Sequence, residues 1–112
     1  MKKIEAIIRP EKLDEVRQAL ESAGCCGMMI TEIEGHGKQK GVVRQWRGEK
    51  YKLDLLPKTK IEVVVKDSEA RRILKVIIES AQTGEIGDGK IFVSNIENAV
   101  RIRTNEQGEN VL

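Results

Sequence analysis

The sequence predicts an α+β fold of β-α-β-β-α-β order, the ferredoxin-like split sandwich. Three observations point to it. Strand, helix and strand patterns follow one another twice within 112 residues. Short strings return at matching places: Lys3-Ile4-Glu5 as Lys60-Ile61-Glu62, and Glu21-Ser22-Ala23 as Glu79-Ser80-Ala81. The two halves are joined by a stretch, Gly35 to Lys58, in which neither the helical nor the strand period is sustained. A loop of about 20 residues is unusual in so small a domain, and its length marks it as functional.

Each element has its own justification. Lys3 to Arg9 reads as a strand, with Ile4, Ala6 and Ile8 on one face. Pro10 suits the first turn of a helix. Leu13, Val16, Leu20 and Ala23 follow at helical spacing, and Gly24 is a C-terminal stop. Met28 to Glu34 is the second strand, and Lys60 to Lys66, rich in Ile and Val, the third. Asp67 or Ser68 can cap a helix whose Ala70, Ile73, Leu74, Ile77 and Ala81 share a face. A glycine-rich turn covers Thr83 to Lys90, and Ile91 to Ile96 is the fourth strand. Val100 to Arg103 offers a short fifth strand, and the polar tail from Asn105 is expected to be mobile.

Composition narrows the class. Apolar residues make up 39% and charged residues 34%, which fits a soluble globular chain and excludes a disordered one. One Trp, one Tyr and one Phe leave the core to aliphatic side chains. A net charge of +2 argues against bulk nucleic-acid binding but permits a local anion site. The adjacent Cys25 and Cys26 cannot form a disulfide framework and read as free thiols of a reducing compartment. Glu5, Arg9 and Glu11 interrupt any apolar run after Met1-Lys2-Lys3, so no signal peptide is expected. No stretch is long and apolar enough for a membrane helix. The sheet face away from the helices carries Ile7, Val64 and Phe92, and an uncovered apolar face implies self-association.

Three short segments could carry chemistry. Thr83-Gly84-Glu85-Ile86-Gly87-Asp88-Gly89-Lys90 precedes a strand; its glycines let N–H groups converge on an anion, and Lys90 adds a charge. Read alone, it is also an ordinary helix-to-strand turn. It is not a Walker loop, because the glycines follow a helix and Gly-Lys-Ser/Thr is absent. Arg101-Ile102-Arg103 places two forked donors on one face of an extended segment, or simply a solvated edge. Gly35-His36-Gly37-Lys38-Gln39-Lys40-Gly41 allows close backbone approach beside two lysines, or is a hinge. Taken together, the three favour a shared polyphosphate ligand. His36 is the only histidine, so no Ser-His or Cys-His pairing stands out, and carboxylates such as Asp14 and Glu15 lie on a solvated helix face.

These stretches carry a resemblance. The start Met1-Lys2-Lys3-Ile4-Glu5-Ala6-Ile7-Ile8-Arg9-Pro10, the glycine stretch 35–41, Asp54-Leu55-Leu56-Pro57-Lys58, the octapeptide with Ile91-Phe92-Val93, and Arg101-Ile102-Arg103-Thr104 resemble the PII nitrogen-regulatory signal proteins, including the form that pairs with ammonium channels. The resemblance covers nearly the whole chain, one domain over 1–112. It implies a homotrimer with nucleotide clefts between subunits, where ATP and ADP compete. It implies phosphate contacts at Gly37, Lys38, Gly87, Asp88, Gly89, Lys90, Arg101 and Arg103, and base contacts at Met29 and Val64. It implies 2-oxoglutarate bound with Mg²⁺-ATP, the metal bridged through Gln39, and the effector held by Gln39, Lys40, Gly41, Lys58 and Gly87. Residues 36–57 correspond to the family's T-loop, 82–90 to its B-loop and 101–112 to its C-terminal loop. Arg47 matches the loop-tip residue that enters an ammonium channel, and Tyr51 the tyrosine that some bacterial members uridylylate.

The sequence also departs from the family pattern. Met29 replaces a small hydroxyl residue and Cys25-Cys26 an apolar pair, while Trp46 and Glu49 alter the surroundings of Tyr51. The expectation is a cytoplasmic signalling protein, not an enzyme. Its partners would be an ammonium channel, through which alone it meets the membrane, and glutamine synthetase or other enzymes of nitrogen metabolism. A slow ATPase using Lys90 is the alternative. An RNA-binding domain lacks the sheet aromatics that base stacking requires, since Phe92 is the only aromatic on a strand, so no nucleic acid is expected.

Overall fold

The computed structural model describes residues 1–25, 27–35, 43–46, 49–52 and 56–112. In chain order the elements are β1 (Lys2–Ile8), α1 (Leu13–Ser22), β2 (Met28–Gly35), β3 (Val43–Trp46), β4 (Glu49–Lys52), β5 (Leu56–Val65), α2 (Asp67–Ala81) and β6 (Lys90–Asn95). Four strands form one antiparallel sheet in the order β2-β5-β1-β6, the order expected of a split β-α-β sandwich. Central β1 pairs with β5 from Lys2↔Val65 to Ile8↔Thr59, and with β6 from Lys2↔Asn95 to Ile7↔Lys90.

Alternation decides the two faces. Ile4, Ala6 and Ile8 of β1 and Ile61 and Val63 of β5 turn to the helices and are buried. They meet Val16 and Leu20 of α1 and Ile73 and Ile77 of α2, so the aliphatic core lies over the two central strands.

The helix ends follow local chemistry. Pro10 opens a 3₁₀ turn, Pro10–Lys12, rather than the α-helix itself. Gly24, at φ +86°, closes α1 with the paired bonds of a Schellman end: Gly24 N–H donates to Glu21 O at 3.0 Å and Cys25 N–H to Leu20 O at 2.9 Å. Helix α2 has no side-chain cap. Asp67 sits inside its first turn and pairs instead with the Met1 amino group at 2.9 Å, where its charge also suits the helix dipole.

Three expectations need correction. The stretch between the halves is not structureless: it holds a hairpin, β3 with β4, in the register Val43↔Lys52 to Trp46↔Glu49. Strand β5 begins at Leu56, four residues before Lys60. Pro57 there pairs with Glu34 but lies past the end of β1, so its missing N–H leaves the central ladder intact. The segment after Val100 is not a strand. It keeps one bridge, Val100↔Gln107, then turns back, and the tail ends in a 3₁₀ turn, Glu109–Val111.

The face away from the helices is mixed. Phe92 and Met29 are each 56% exposed, as an uncovered apolar surface requires. Between them lies a charged quartet. Lys3 contacts Glu5 at 2.8 Å and Glu62 at 3.4 Å, and Lys60 reaches Glu62 at 3.0 Å.

Adjacent positions of α2 provide a test of the layer assignment. Ile77 is completely buried and Ile78 half exposed. Ile77→Ala should cost about 2–5 kcal/mol of unfolding free energy and Ile78→Ala about 1 kcal/mol or less, by denaturant titration.

Candidate functional site

The turn between α2 and β6 is built around one carboxylate. Asp88 Oδ2 accepts from the N–H groups of Thr83 and Gly84, each at 2.9 Å. Its Oδ1 accepts from Arg9 Nε at 3.0 Å and from the Thr83 hydroxyl. Both oxygens are therefore doubly engaged, close to the full acceptor capacity of a carboxylate. The Thr83 hydroxyl, with the Thr83 N–H, Arg9 and the Gly84 N–H, holds the Asp88 carboxyl well below the usual carboxylate range. Thr83 also accepts from Glu85 N–H at 3.2 Å, and Arg9 Nη2 donates to Ile86 O at 3.0 Å.

This clamp sets the backbone of Gly87 and Gly89, at φ +108° and +98°. Such conformations turn successive N–H groups towards one side, as an anion site needs. At Gly89 a Cβ would lie 1.7 Å from Ile7 O, so only glycine lets the turn press against β1. Lys58, from β5, donates to Gly87 O at 2.5 Å. Burial and the neighbouring Arg9 push the Lys58 pKa down, against weaker support from Glu11 and Asp88. Arg9, Lys58 and Gly87 line a cleft of about 410 Å³, with Leu56 and Pro57 on its wall. Two cations share this corner with a carboxylate already satisfied, so it is suited to an incoming anion.

The expected contacts divide into two groups. Gly87, Asp88, Gly89, Lys90 and Lys58 come together at one end of the sheet. Met29 and Val64 line another cleft, of about 520 Å³, at the other end. Lys90 pairs with Ile7 and Val64 with Lys3, so the two groups stand roughly 13 Å apart along β1. The chain leaves β6 at the Met29 end, where Ile96 N–H donates to Met1 O at 3.0 Å. Arg101 follows in the return loop and pairs with Glu106 at 3.1 Å. Ile102 and Arg103 lie in a turn, not an extended segment, so the two guanidiniums are not set on one strand face; Ile102 is 99% exposed. Gly37, Lys38, Gln39, Lys40, Gly41 and Arg47 lie outside the described residues, as does Cys26. Tyr51 stands in β4 opposite Arg44.

Sequence reasoning missed Arg9 and Thr83. Both lie in stretches singled out above, but nothing in their spacing shows that they converge on Asp88. Among the described residues no group of three or more His, Cys, Asp or Glu is arranged to hold a metal. No helix among them is long and apolar enough to cross a membrane.

Comparison with known proteins adds a separate line. The family model "Nitrogen regulatory protein P-II" matches residues 1–106. The chain is 58% identical to nitrogen regulatory protein P-II 2 of Methanothermobacter thermautotrophicus, over 97% of this chain and 95% of that one. It is 54% identical to the P-II protein of Haemophilus influenzae over all of both chains. It is 56% identical to that of Rhizobium meliloti over 96% of each.

The Asp88 clamp predicts an acid signature. A depressed native pKa contributes stability above the unfolded-state value, about 3.9, and loses it as pH falls further. Wild type should therefore exceed Asp88→Asn in Tm by a constant margin above about pH 5, and the margin should shrink below about pH 4. Thermal melts between pH 3 and 7 check this; a margin independent of pH would remove Asp88 as the charged centre of the turn.

Proposed function

Because the chain belongs to the nitrogen regulatory protein P-II family, whose members are signalling proteins rather than enzymes, we propose that it senses ATP, ADP and 2-oxoglutarate and reports them through residues 36–57. The observation that carries this reading is the division of the site. One chain holds the anion-binding turn and the Lys58 corner at one sheet end, and Met29, Val64 and Arg101 at the other. A nucleotide spanning phosphate and base contacts needs both, and two chains side by side supply them. The assembly is a homotrimer, in which the exposed Met29 and Phe92 and the charged quartet face neighbouring copies.

In this reading Gly87, Gly89 and Lys90 take the phosphates, the first two through backbone N–H groups. Asp88 shapes that backbone with its side chain and offers only its own N–H. Gly37 and Lys38 approach from the base of the long segment, and Arg101 and Arg103 from the neighbouring chain. Gln39, with oxygens of the bound ligand, would hold Mg²⁺, which would offset the phosphate charge; the Asp88 oxygens are already engaged. Lys58 exchanges Gly87 O for a 2-oxoglutarate carboxylate, with Gln39, Lys40 and Gly41 around it. That exchange is the switch: a ligand that binds one arrangement of the segment better than another shifts their populations. The protein works in the cytoplasm and docks on an ammonium channel through Arg47, or on glutamine synthetase or another enzyme of nitrogen assimilation. Tyr51, in the hairpin, is the position open to uridylylation.

Calorimetry tests the sensing. ATP and ADP should compete, and 2-oxoglutarate should bind only with Mg²⁺-ATP present; equal binding without it would defeat the ternary site. Arg101→Ala should weaken ATP by about 1.5–3 kcal/mol, the scale of a charged hydrogen bond. Docking has its own test, capture of a detergent-solubilised ammonium channel, which Arg47→Glu should abolish. Undiminished capture would remove Arg47 as the anchor.

A further inference from the structure

The last residues of the chain are not a loose end. After Ala99 the backbone turns back on itself. Arg101 N–H donates to Glu106 O at 2.8 Å, and Asn105, at φ +62°, closes the turn through its N–H to Arg101 O at 2.8 Å. Gly108 N–H then donates to Ala99 O at 2.9 Å, and Asn98 Nδ2 donates to Gln107 Oε1 at 2.8 Å. This closed loop delivers the 3₁₀ turn Glu109–Val111 to the end of the sheet. There Val111 and Leu112 form one wall of the cleft of about 520 Å³ whose other walls include Met29, Val64 and Ile73. The cleft remains open, so the two side chains border it rather than plug it.

We propose that Val111 and Leu112 form an apolar lip of the nucleotide site, packing against the base or ribose, and so set affinity for the nucleoside half of the ligand. The inference rests on the nucleotide reading above and adds to it two residues that no phosphate-binding pattern would pick out. A flat heterocycle in this cleft would meet aliphatic surface from Val64, Val111 and Leu112. It would also meet the polarizable Met29 thioether, which packs well against ring edges. The lip follows directly on the closed loop that carries Arg101, so the same end of the chain supplies both a charged and an apolar contact. The contribution is that of burying a few tens of Å² of apolar surface.

The test compares a chain ending at Gly108 with the full chain, using ATP, ADP and inorganic triphosphate as probes in calorimetry. The shortened chain keeps the Gly108–Ala99 bond and the Arg101–Glu106 pair. Its affinity for ATP and ADP should fall about three- to tenfold, with inorganic triphosphate unchanged. Leu112→Ser in the full chain should move the same way, about two- to fourfold, and covers the case in which the shortened chain fails to fold. ATP affinity within twofold of wild type in the shortened chain, or in Leu112→Ser where the shortened chain does not fold, would overturn the lip. So would an equal loss for inorganic triphosphate, which would place the effect in the Arg101 loop instead. Full-length protein that binds no ATP would overturn the nucleotide reading itself, and is distinguishable from both.

Discussion

The structure depends on the pairing of β1 along both of its edges. Seven residues, Lys2 to Ile8, bond to β5 on one side and, over Lys2 to Ile7, to β6 on the other. That register fixes which side chains turn inwards: a one-residue slip would drive Ile4, Ala6 and Ile8 out of the core and Lys3 and Glu5 into it. It also fixes the separation of the two groups of candidate residues. Lys90 is held at Ile7 and Val64 at Lys3, so their distance is set by strand geometry rather than by loop conformation. Gly89 lies so close to Ile7 O that the turn between α2 and β6 is seated on β1 itself.

A second tie holds that turn. Arg9 immediately follows β1 in the Arg9-Pro10 step, and its guanidinium joins the Asp88 carboxylate to Ile86 O. Thr83, at the exit of α2, closes the other side. The turn is thus anchored to a strand end and a helix end at once. Positive φ at Gly87 and Gly89 is acceptable because glycine adopts it without steric penalty and because the clamp leaves the backbone no alternative path. The division of labour is physical. A carboxylate engaged by four donors has little acceptor capacity left, whereas Lys58, with burial and Arg9 both working against its proton, is favoured by an incoming anion.

The outer sheet face follows a different logic from the core. Glu5 and Glu62 stand directly opposite each other across β1 and β5, a like-charge pair that would be unfavourable alone, and Lys3 offsets it by contacting both while Lys60 contacts Glu62 along its own strand. Glu62 accepts from Lys60 and from Lys3, which together hold its carboxyl below the usual range, Lys60 first. With Met29 and Phe92 on the two edge strands, this surface has apolar margins around a charged centre. Apolar margins favour contact of almost any kind, whereas paired charges tolerate only arrangements that keep them satisfied.

How much of this could be read from residues alone depends on the range over which the information acts. The strands, the helices and their order were legible because periodicity is local: Ile4, Ala6 and Ile8 alternate, and Ile73, Ile77 and Ala81 share a helical face. The Gly24 stop was legible for the same reason. The hairpin was not, because Val43 to Trp46 and Glu49 to Lys52 are four-residue strands, too short to establish a period. The start of strand β5 at Leu56 is hidden because Pro57 reads as a break in sequence, and only the end of β1 beside it makes a proline tolerable there. The glycines and Lys90 mark the turn as a candidate anion site, but the contacts within it are not legible. That the Asp88 side chain ties the turn together is not legible in the sequence, since Arg9 lies 79 residues away from it and only the fold brings them to 3.0 Å. Arg101 and Arg103 look like a pair of donors on a strand, yet a return loop closed by Gly108 and Ala99 sets them in a turn. Local pattern therefore carries the elements and their order, while the contacts each side chain makes depend on pairings across the sheet.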